Sequence, residues 1–304
     1  MIGVDMPVSK PTARKPRLAL MGEFSAGKST LTHLLVGLEP LPVKVTATRL
    51  PPVWITHGPT SATVVGTDGA ETPIDLEEIE TVPLDSTALI RLTLPAEALE
   101  LCDLIDMPGI SDPNMPTSVW RALMPEVDAV IWCTHATQAW RQSEAAAWDS
   151  IRAGLSGPST LLVTHFDKLQ NERDQARVLK RVMREAGDKF QSVFPISLLQ
   201  AVEAEDDAEA WQASGADAFV ESLIELLVRW SDPKTAPSAN APEVTMAEKL
   251  AREAARDRGK TESPQPEAMV EGRVVPRRVK RERHSARPER RATAAAGRAP
   301  MAPR

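Results

Sequence analysis

Covalent cross-links and long apolar runs are both scarce in this chain. Only two cysteines, Cys102 and Cys133, occur among its 304 residues. Both lie in apolar runs, so a reduced, cytoplasmic protein with two core thiols is expected. No stretch reaches the roughly 20 apolar residues that a bilayer-spanning helix needs, which confines any expected membrane contact to the periphery. The N-terminus has no unbroken apolar segment of the secretory kind. The five histidines show no metal-ligand spacing, so no structural metal is expected. No internal repeat is present.

What is present is a full complement of core residues and an uneven charge. Hydrophobic residues make up 42% of the chain, enough to bury a core. From Glu271 onward there are 11 Lys/Arg against 3 Asp/Glu, a net +8; with −6 overall, the first 270 residues carry −14. An acidic body with a basic tail directs only the tail toward anionic partners.

Residues 1–15 are rich in Pro and Lys and read as a flexible N-terminus. Strand-like runs then alternate with amphipathic helical ones. RLALMG (17–22) reads as a strand and KSTLTHLLVG (28–37) as a helix stopped by Gly37. PVWITH and SATVVG read as two strands meeting at Gly58-Pro59, a candidate hairpin. ALIRLTLP (88–95) and LELCDLIDMPG (99–109) read as further strands. AVIWCTH (129–135) and STLLVTHFD (159–167) are short, nearly continuous apolar runs, as central strands covered on both faces require. This alternation predicts a mostly parallel α/β sheet over residues 16–232. Residues 233–304 are rich in Pro, Ala, Arg and Glu, and such a composition cannot bury enough surface to offset its ordering entropy.

GEFSAGKST (22–30) fits G-x-x-x-x-G-K-[ST], with Gly22, Gly27, Lys28 and Ser29 in the defining positions. A glycine-rich turn lets backbone N–H groups converge on phosphate oxygens, and the helix that follows adds its free amides and positive dipole end. The whole run, Gly22, Glu23, Phe24, Ser25, Ala26, Gly27, Lys28, Ser29 and Thr30, is therefore a candidate phosphate loop. Lys28 would place a cation on the β/γ-phosphates, and Ser29 would ligate Mg²⁺.

Two later stretches narrow the nucleotide. LIDMPG places Asp106 at a strand end, followed by Gly109, where a carboxylate can order a Mg²⁺-bound water and a glycine amide can sense a γ-phosphate. LLVTHFDKL is similar to the guanine-reading T-K-x-D motif, with Thr164 and Asp167 in place, His165 where lysine is usual, and Lys168 following. A carboxylate accepts both hydrogen bonds from guanine N1–H and the exocyclic amine, a pair adenine does not present. The alternative is that Asp167 caps the next helix. Ser197 in VFPISLLQ stands where a loop would close on the base.

Together GEFSAGKSTL, DMPG and VTHFDKL resemble the GTPase domain of the dynamin superfamily, its bacterial members in particular. The resemblance covers residues 16–232. It implies a P-loop NTPase fold with a mostly parallel central sheet and helices on both faces. It also implies Mg²⁺, GTP and GDP as ligands, and dimerisation across the nucleotide face with a second copy or a related dynamin-like protein. The switch-I threonine would be Thr48, which precedes Arg49, with Thr46 as the alternative. Ser25 would correspond to the serine that helps hold a K⁺ or Na⁺ ion. Lys28, Ser25 and Thr48 are thus the expected catalytic residues, and Ser29, Thr48 and Asp106 the expected metal set. Phe24 replaces the water-positioning glutamine of eukaryotic dynamins, and Ile110 follows the D-x-P-G run. After Trp230 only about 74 residues remain, too few for the family's long helical stalk. The expected function is a Mg²⁺-dependent GTPase, with a nucleotide-dependent recruitment switch as the alternative. The basic tail reads as a solvated segment or as a peripheral contact with anionic lipid. Nucleic acid is not the expected partner, because the tail lacks interleaved aromatics.

Overall fold

Five of the six residues of β1 (Arg17–Gly22) are buried, and the rest of the sheet is built outward from this strand. The computed structural model describes residues 14–37, 50–112 and 117–231, all within one unit of the chain, Met1–Glu262. Thr46, Thr48 and Arg49, residues 1–13 and the basic tail 233–304 lie outside the described residues.

β1 pairs in parallel with β6 (Asp103–Asp106) on one side and β7 (Ala129–His135) on the other. Beyond β7 come β8 (Thr160–Thr164) and β9 (Ser192–Pro195), both parallel. Beyond β6 come β2 (Val53–His57), β5 (Thr87–Leu94), β3 (Ser61–Gly66) and β4 (Glu71–Ile74). β2 joins β6 antiparallel but β5 parallel, while β3 is antiparallel to both its neighbours.

The hairpin expected at Gly58-Pro59 does not form. β2 and β3 are separated by β5, which inserts between them. The turn alone did not decide the pairing, because β5 buries six of its eight residues and completes the core better from a central position. The strand expected to begin at Leu99 begins at Asp103; Ala98–Leu101 form the short helix α2, whose Leu99 is buried. Arg14 and Lys15, expected to be flexible, are tied down. Arg14 donates to both carboxylate oxygens of Asp128 at 2.6 and 2.8 Å, and Lys15 Nζ donates to the Leu99 carbonyl at 2.9 Å.

Strand side chains alternate between faces, so the two faces of β1 feed two cores. Leu18 and Leu20 pack with Leu31 of α1 (Lys28–Val36), Leu198 of α6 (Leu198–Glu203) and Phe219 of α8 (Ala216–Ser231). Ala19 and Met21 pack with Trp120 of α3 (Thr117–Leu123), Trp148 of α4 (Gln142–Ile151) and Val182 of α5 (Glu172–Ala186). α7 (Ala208–Ala213) is capped by Asp207. Cys102 and Cys133 are both free and buried, as expected. Trp140 and Trp148 are packing residues of the second core. No helix among the described residues is long and apolar enough to cross a membrane.

Candidate functional site

The loop from β1 to α1 turns on Gly22. Its φ is 141°, and a Cβ there would lie 2.1 Å from the Cys133 carbonyl oxygen of the adjacent strand. Any other residue would drive β1 and β7 apart, so the glycine is a requirement of the packing. Gly27 caps α1 in the left-handed region at φ 89°. No side chain caps this helix and no acidic residue occupies its first turn, which leaves its amides and dipole end open to a ligand anion.

Lys28 is buried inside the loop's arc. Its Nζ donates to the Glu23 carbonyl at 2.9 Å and the Gly22 carbonyl at 3.3 Å. Burial pulls its pKa below the usual lysine value, and Asp106 leads the groups that pull it back up. A desolvated ammonium with only neutral carbonyl acceptors interacts strongly with a polyanion. The cleft around it is lined by residues 24–30, by Asp106–Gly109 and Asp112, by Leu50, Pro51 and Val53 opposite, and by His165.

Asp106 ends β6 beside α1. Thr32, one turn after Lys28, donates to Asp106 Oδ2 at 3.2 Å. Burial pushes the Asp106 pKa up to about 6, against the pull of Lys28 and Thr32. A carboxylate desolvated to that degree is suited to a nearby divalent cation, which would restore its charged form. Ser29 lines the same cleft, and its hydroxyl and the Asp106 carboxylate are hard oxygen donors of the type Mg²⁺ takes alongside water and phosphate. Among the described residues no group of three or more His, Cys, Asp or Glu is placed to hold a metal without such help.

The raised value has a measurable consequence for stability. Between pH 4 and 6 the folded state holds a proton on Asp106 that the unfolded chain, with a carboxyl near 3.8, releases. Stability without nucleotide therefore falls as pH rises through this window. Asp106→Asn removes the effect. Its melting temperature should exceed the parent's at pH 7.5 and the gap should close toward pH 4.5, with an upper bound of about 3 kcal/mol set by a shift of roughly two units. A gap that is constant across the pH range would contradict the assignment.

On the far side of the loop, Thr164 and His165 both hold the P-loop backbone. The buried Thr164 hydroxyl donates to the Ala26 carbonyl at 2.8 Å and lies 3.2 Å from the Thr134 carbonyl. His165 is itself left-handed, at φ 53°. Its Nε2 lies 3.2 Å from the Ser25 carbonyl, and its ring stacks on His135 at 4.3 Å. Burial lowers the pKa of both rings, so the stack is neutral at neutral pH. Asp167 is exposed, and its backbone N–H donates to Ser197 Oγ at 3.0 Å. It does not cap α5; Asn171 does, accepting from the Asp174 amide. Lys168 is exposed beside it.

Comparison with known proteins agrees with this geometry. Residues 18–151 match the Dynamin family. Over these residues the chain resembles the dynamin superfamily. The chain is 22% identical over 217 residues to Dynamin-like protein 2 of Campylobacter jejuni, covering 69% of this chain and 34% of that one. It is 30% identical over 217 residues to the isoniazid-induced protein IniC of Mycobacterium tuberculosis, covering 62% and 43%. It therefore spans less than half the length of either relative. Among solved structures, an oligomerised bacterial dynamin pair, described as a mechanism for long-range sensing and tethering of membranes, superposes with a TM-score of 0.51 at 19% identity. That superposition covers 80% of this chain and 37% of the other.

Several polar residues of this domain gave no sequence signal. Thr32 reads as an ordinary helix position. Glu144 is buried and accepts from Trp132 Nε1, Thr134 Oγ1 and the Arg141 amide, at 2.9–3.0 Å. It locks the start of α4 to β7. Thr134 Oγ1 in turn accepts from the amide of Trp140, which is left-handed at φ 57°. The chain thus holds an unfavourable tryptophan backbone where β7 gives way to the loop before α4. The His135–His165 stack was also unforeseeable, since the two residues are 30 apart in sequence.

Proposed function

We propose that residues 16–232 bind GTP in this cleft and hydrolyse it, with water attacking the γ-phosphate. The observation that carries the reading is the buried Lys28 ammonium set among loop carbonyls, opposite Asp106 and at the open N-terminus of α1. In the proposed complex the loop amides from Phe24 to Thr30 surround the β-phosphate, and Lys28 exchanges its carbonyl partners for β/γ oxygens. The Gly109 amide faces the γ-phosphate. Ser29, Asp106 through water, and Thr48 would hold Mg²⁺, which supplies neutralisation of the phosphate charge. Asp167 reads guanine, Ser197 supports its backbone, and Lys168 flanks the site. His165 takes the place of the usual lysine, its ring bridging the P-loop and the base side.

A slower device also fits. Phe24, half-exposed at the rim of the cleft, and Ile110 carry no group that can orient water. A recruitment switch with negligible turnover is therefore the second reading. Under the first reading a partner face completes the site, with Ser25 and K⁺ or Na⁺ offsetting phosphate charge. Peripheral contact with anionic lipid through the tail, and cytoplasmic residence, extend the proposal.

Steady-state phosphate release from GTP and ATP with Mg²⁺ tests the reading. GTP should be the preferred substrate. Asp167→Asn should lose most of that preference, because a site built to pair a polar edge rejects a molecule lacking it by about 10⁴ or more. Equal turnover of both nucleotides, or an unaltered preference in the variant, would remove the guanine assignment.

A further inference from the structure

We propose that Glu23 is a positioning residue that holds the Gly109 amide against the phosphate loop and so sets the preference for a triphosphate over a diphosphate. The proposal rests on the nucleotide reading above and assigns its discrimination to a side chain.

Glu23 is the second residue of the phosphate loop, yet its side chain turns away from the cleft wall and is nearly buried, 9% exposed. One carboxylate oxygen, Oε2, accepts from the hydroxyl of Ser111; the other, Oε1, accepts from the hydroxyl of Ser143 at 2.6 Å. Ser111 lies two residues beyond Gly109. Ser143 is in the first turn of α4, the helix that Glu144 fastens to β7. One carboxylate therefore joins three separate pieces of chain: the phosphate loop, the segment after Asp106, and a fixed helix.

The segment from Gly109 to Ser111 is held from below: Ile110 packs against the second core, and the Asp112 amide donates to the Gly109 carbonyl at 2.9 Å. The Ile110 amide donates to the Gly22 carbonyl at 3.1 Å, and Gly109 lies so close to the loop that a Cβ would come within 2.8 Å of the Phe24 amide nitrogen. These contacts give the segment its height above the loop. The Ser111–Glu23 bond adds a side-chain tie from this segment to the phosphate loop itself, and Ser143 keeps Glu23 from swinging. Charge-assisted bonds from two hydroxyls suit a carboxylate, which only accepts. A γ-phosphate would meet the Gly109 amide, and a β-phosphate would not. Loosening this segment should therefore weaken binding of the triphosphate selectively.

The test uses the full chain, fluorescent GDP and a fluorescent non-hydrolysable GTP analogue. Glu23→Ala and Ser111→Ala should each weaken the GTP analogue by about tenfold, equivalent to about 1.4 kcal/mol, with GDP affinity changed by less than about twofold, because a β-phosphate does not reach the Gly109 amide. Glu23→Gln should recover most of the loss, since its amide can accept from one serine and donate to the other. In turnover, kcat should fall with KM for GTP rising. Equal loss for GDP and the analogue would show general damage to the loop and overturn the proposal. So would unchanged affinity in Glu23→Ala, or a Glu23→Gln variant as impaired as Glu23→Ala. Should Glu23→Ala fail to fold, Ser111→Ala carries the same comparison, because Ser111 is exposed. A parent protein that binds neither nucleotide would refute the nucleotide reading itself, a result separable from GDP binding that survives without discrimination.

Discussion

Lys28→Ala should weaken nucleotide binding by at least about a hundredfold, or roughly 2.7 kcal/mol, and leave the domain folded. The first half follows from what the ammonium touches. Its partners inside the loop are two neutral carbonyls, and its burial already disfavours its charge. A phosphate oxygen offers it the compensation those carbonyls lack, so the gain on binding is large and is lost with the side chain. The second half follows from the same burial. Removing a desolvated cation relieves its own cost, while Asp106, whose pKa is already pushed up to about 6, neutralises more readily once its facing charge is gone. The cores on either side of β1 do not include Lys28. Titration with a fluorescent guanine nucleotide, alongside circular dichroism, checks both halves. Unchanged affinity in a folded variant would contradict the phosphate-loop assignment.

Hydrolysis should depend on a second nucleotide face. Neither Phe24 nor Ile110 can hold the attacking water by a side-chain hydrogen bond, and Phe24 is 51% exposed at the rim of the cleft. An isolated protomer should then be slow, because supplying one missing stabilising group to a GTPase site changes the rate by about 10³–10⁵. Pairing two clefts would bury the exposed phenylalanine, exclude water and bring groups that one chain lacks. The account therefore expects activity per molecule to climb with protein concentration, or on mixing with a related GTPase, and to need K⁺ or Na⁺ near Ser25. A transition-state mimic of GTP should drive dimerisation, and GDP should not. Constant activity per molecule from nanomolar to tens of micromolar, with a monomer in every nucleotide state and no effect of a partner, would leave the switch reading ahead.

What could be read from the sequence was what is local. The phosphate loop is legible because strand, glycine turn, lysine and helix follow one another within twenty residues, and each step constrains the next. Gly22 even shows why: its place is dictated by the neighbouring strand's carbonyl. The same logic misled at Gly58-Pro59. A turn between two strands looks like a hairpin when only neighbours are considered, but β5 fits between them and buries more. β4, with three of four residues exposed, carries no apolar pattern to find. At the site, Asp106 and Asp167 announce themselves through adjacent residues. Thr32, Glu144 and the serines around Glu23 do not, because each acts through a partner distant in sequence. Ser111 and Ser143 lie 88 and 120 residues from Glu23, and nothing along the chain links them. Thr164 was legible as a motif position but not in its task, which is to hold the P-loop at Ala26.

The most direct measurement is an equilibrium titration of the full chain with GTP, GDP, ATP and ADP in the presence of Mg²⁺. The account places a guanine-reading carboxylate at Asp167 and a phosphate cradle around Lys28 in one site. It predicts saturable binding of one GTP or GDP per chain, displaced poorly by ATP and ADP, with guanine favoured by at least about a hundredfold, or roughly 2.7 kcal/mol. Equal affinity for guanine and adenine nucleotides, or no binding of either in a folded protein, would contradict it.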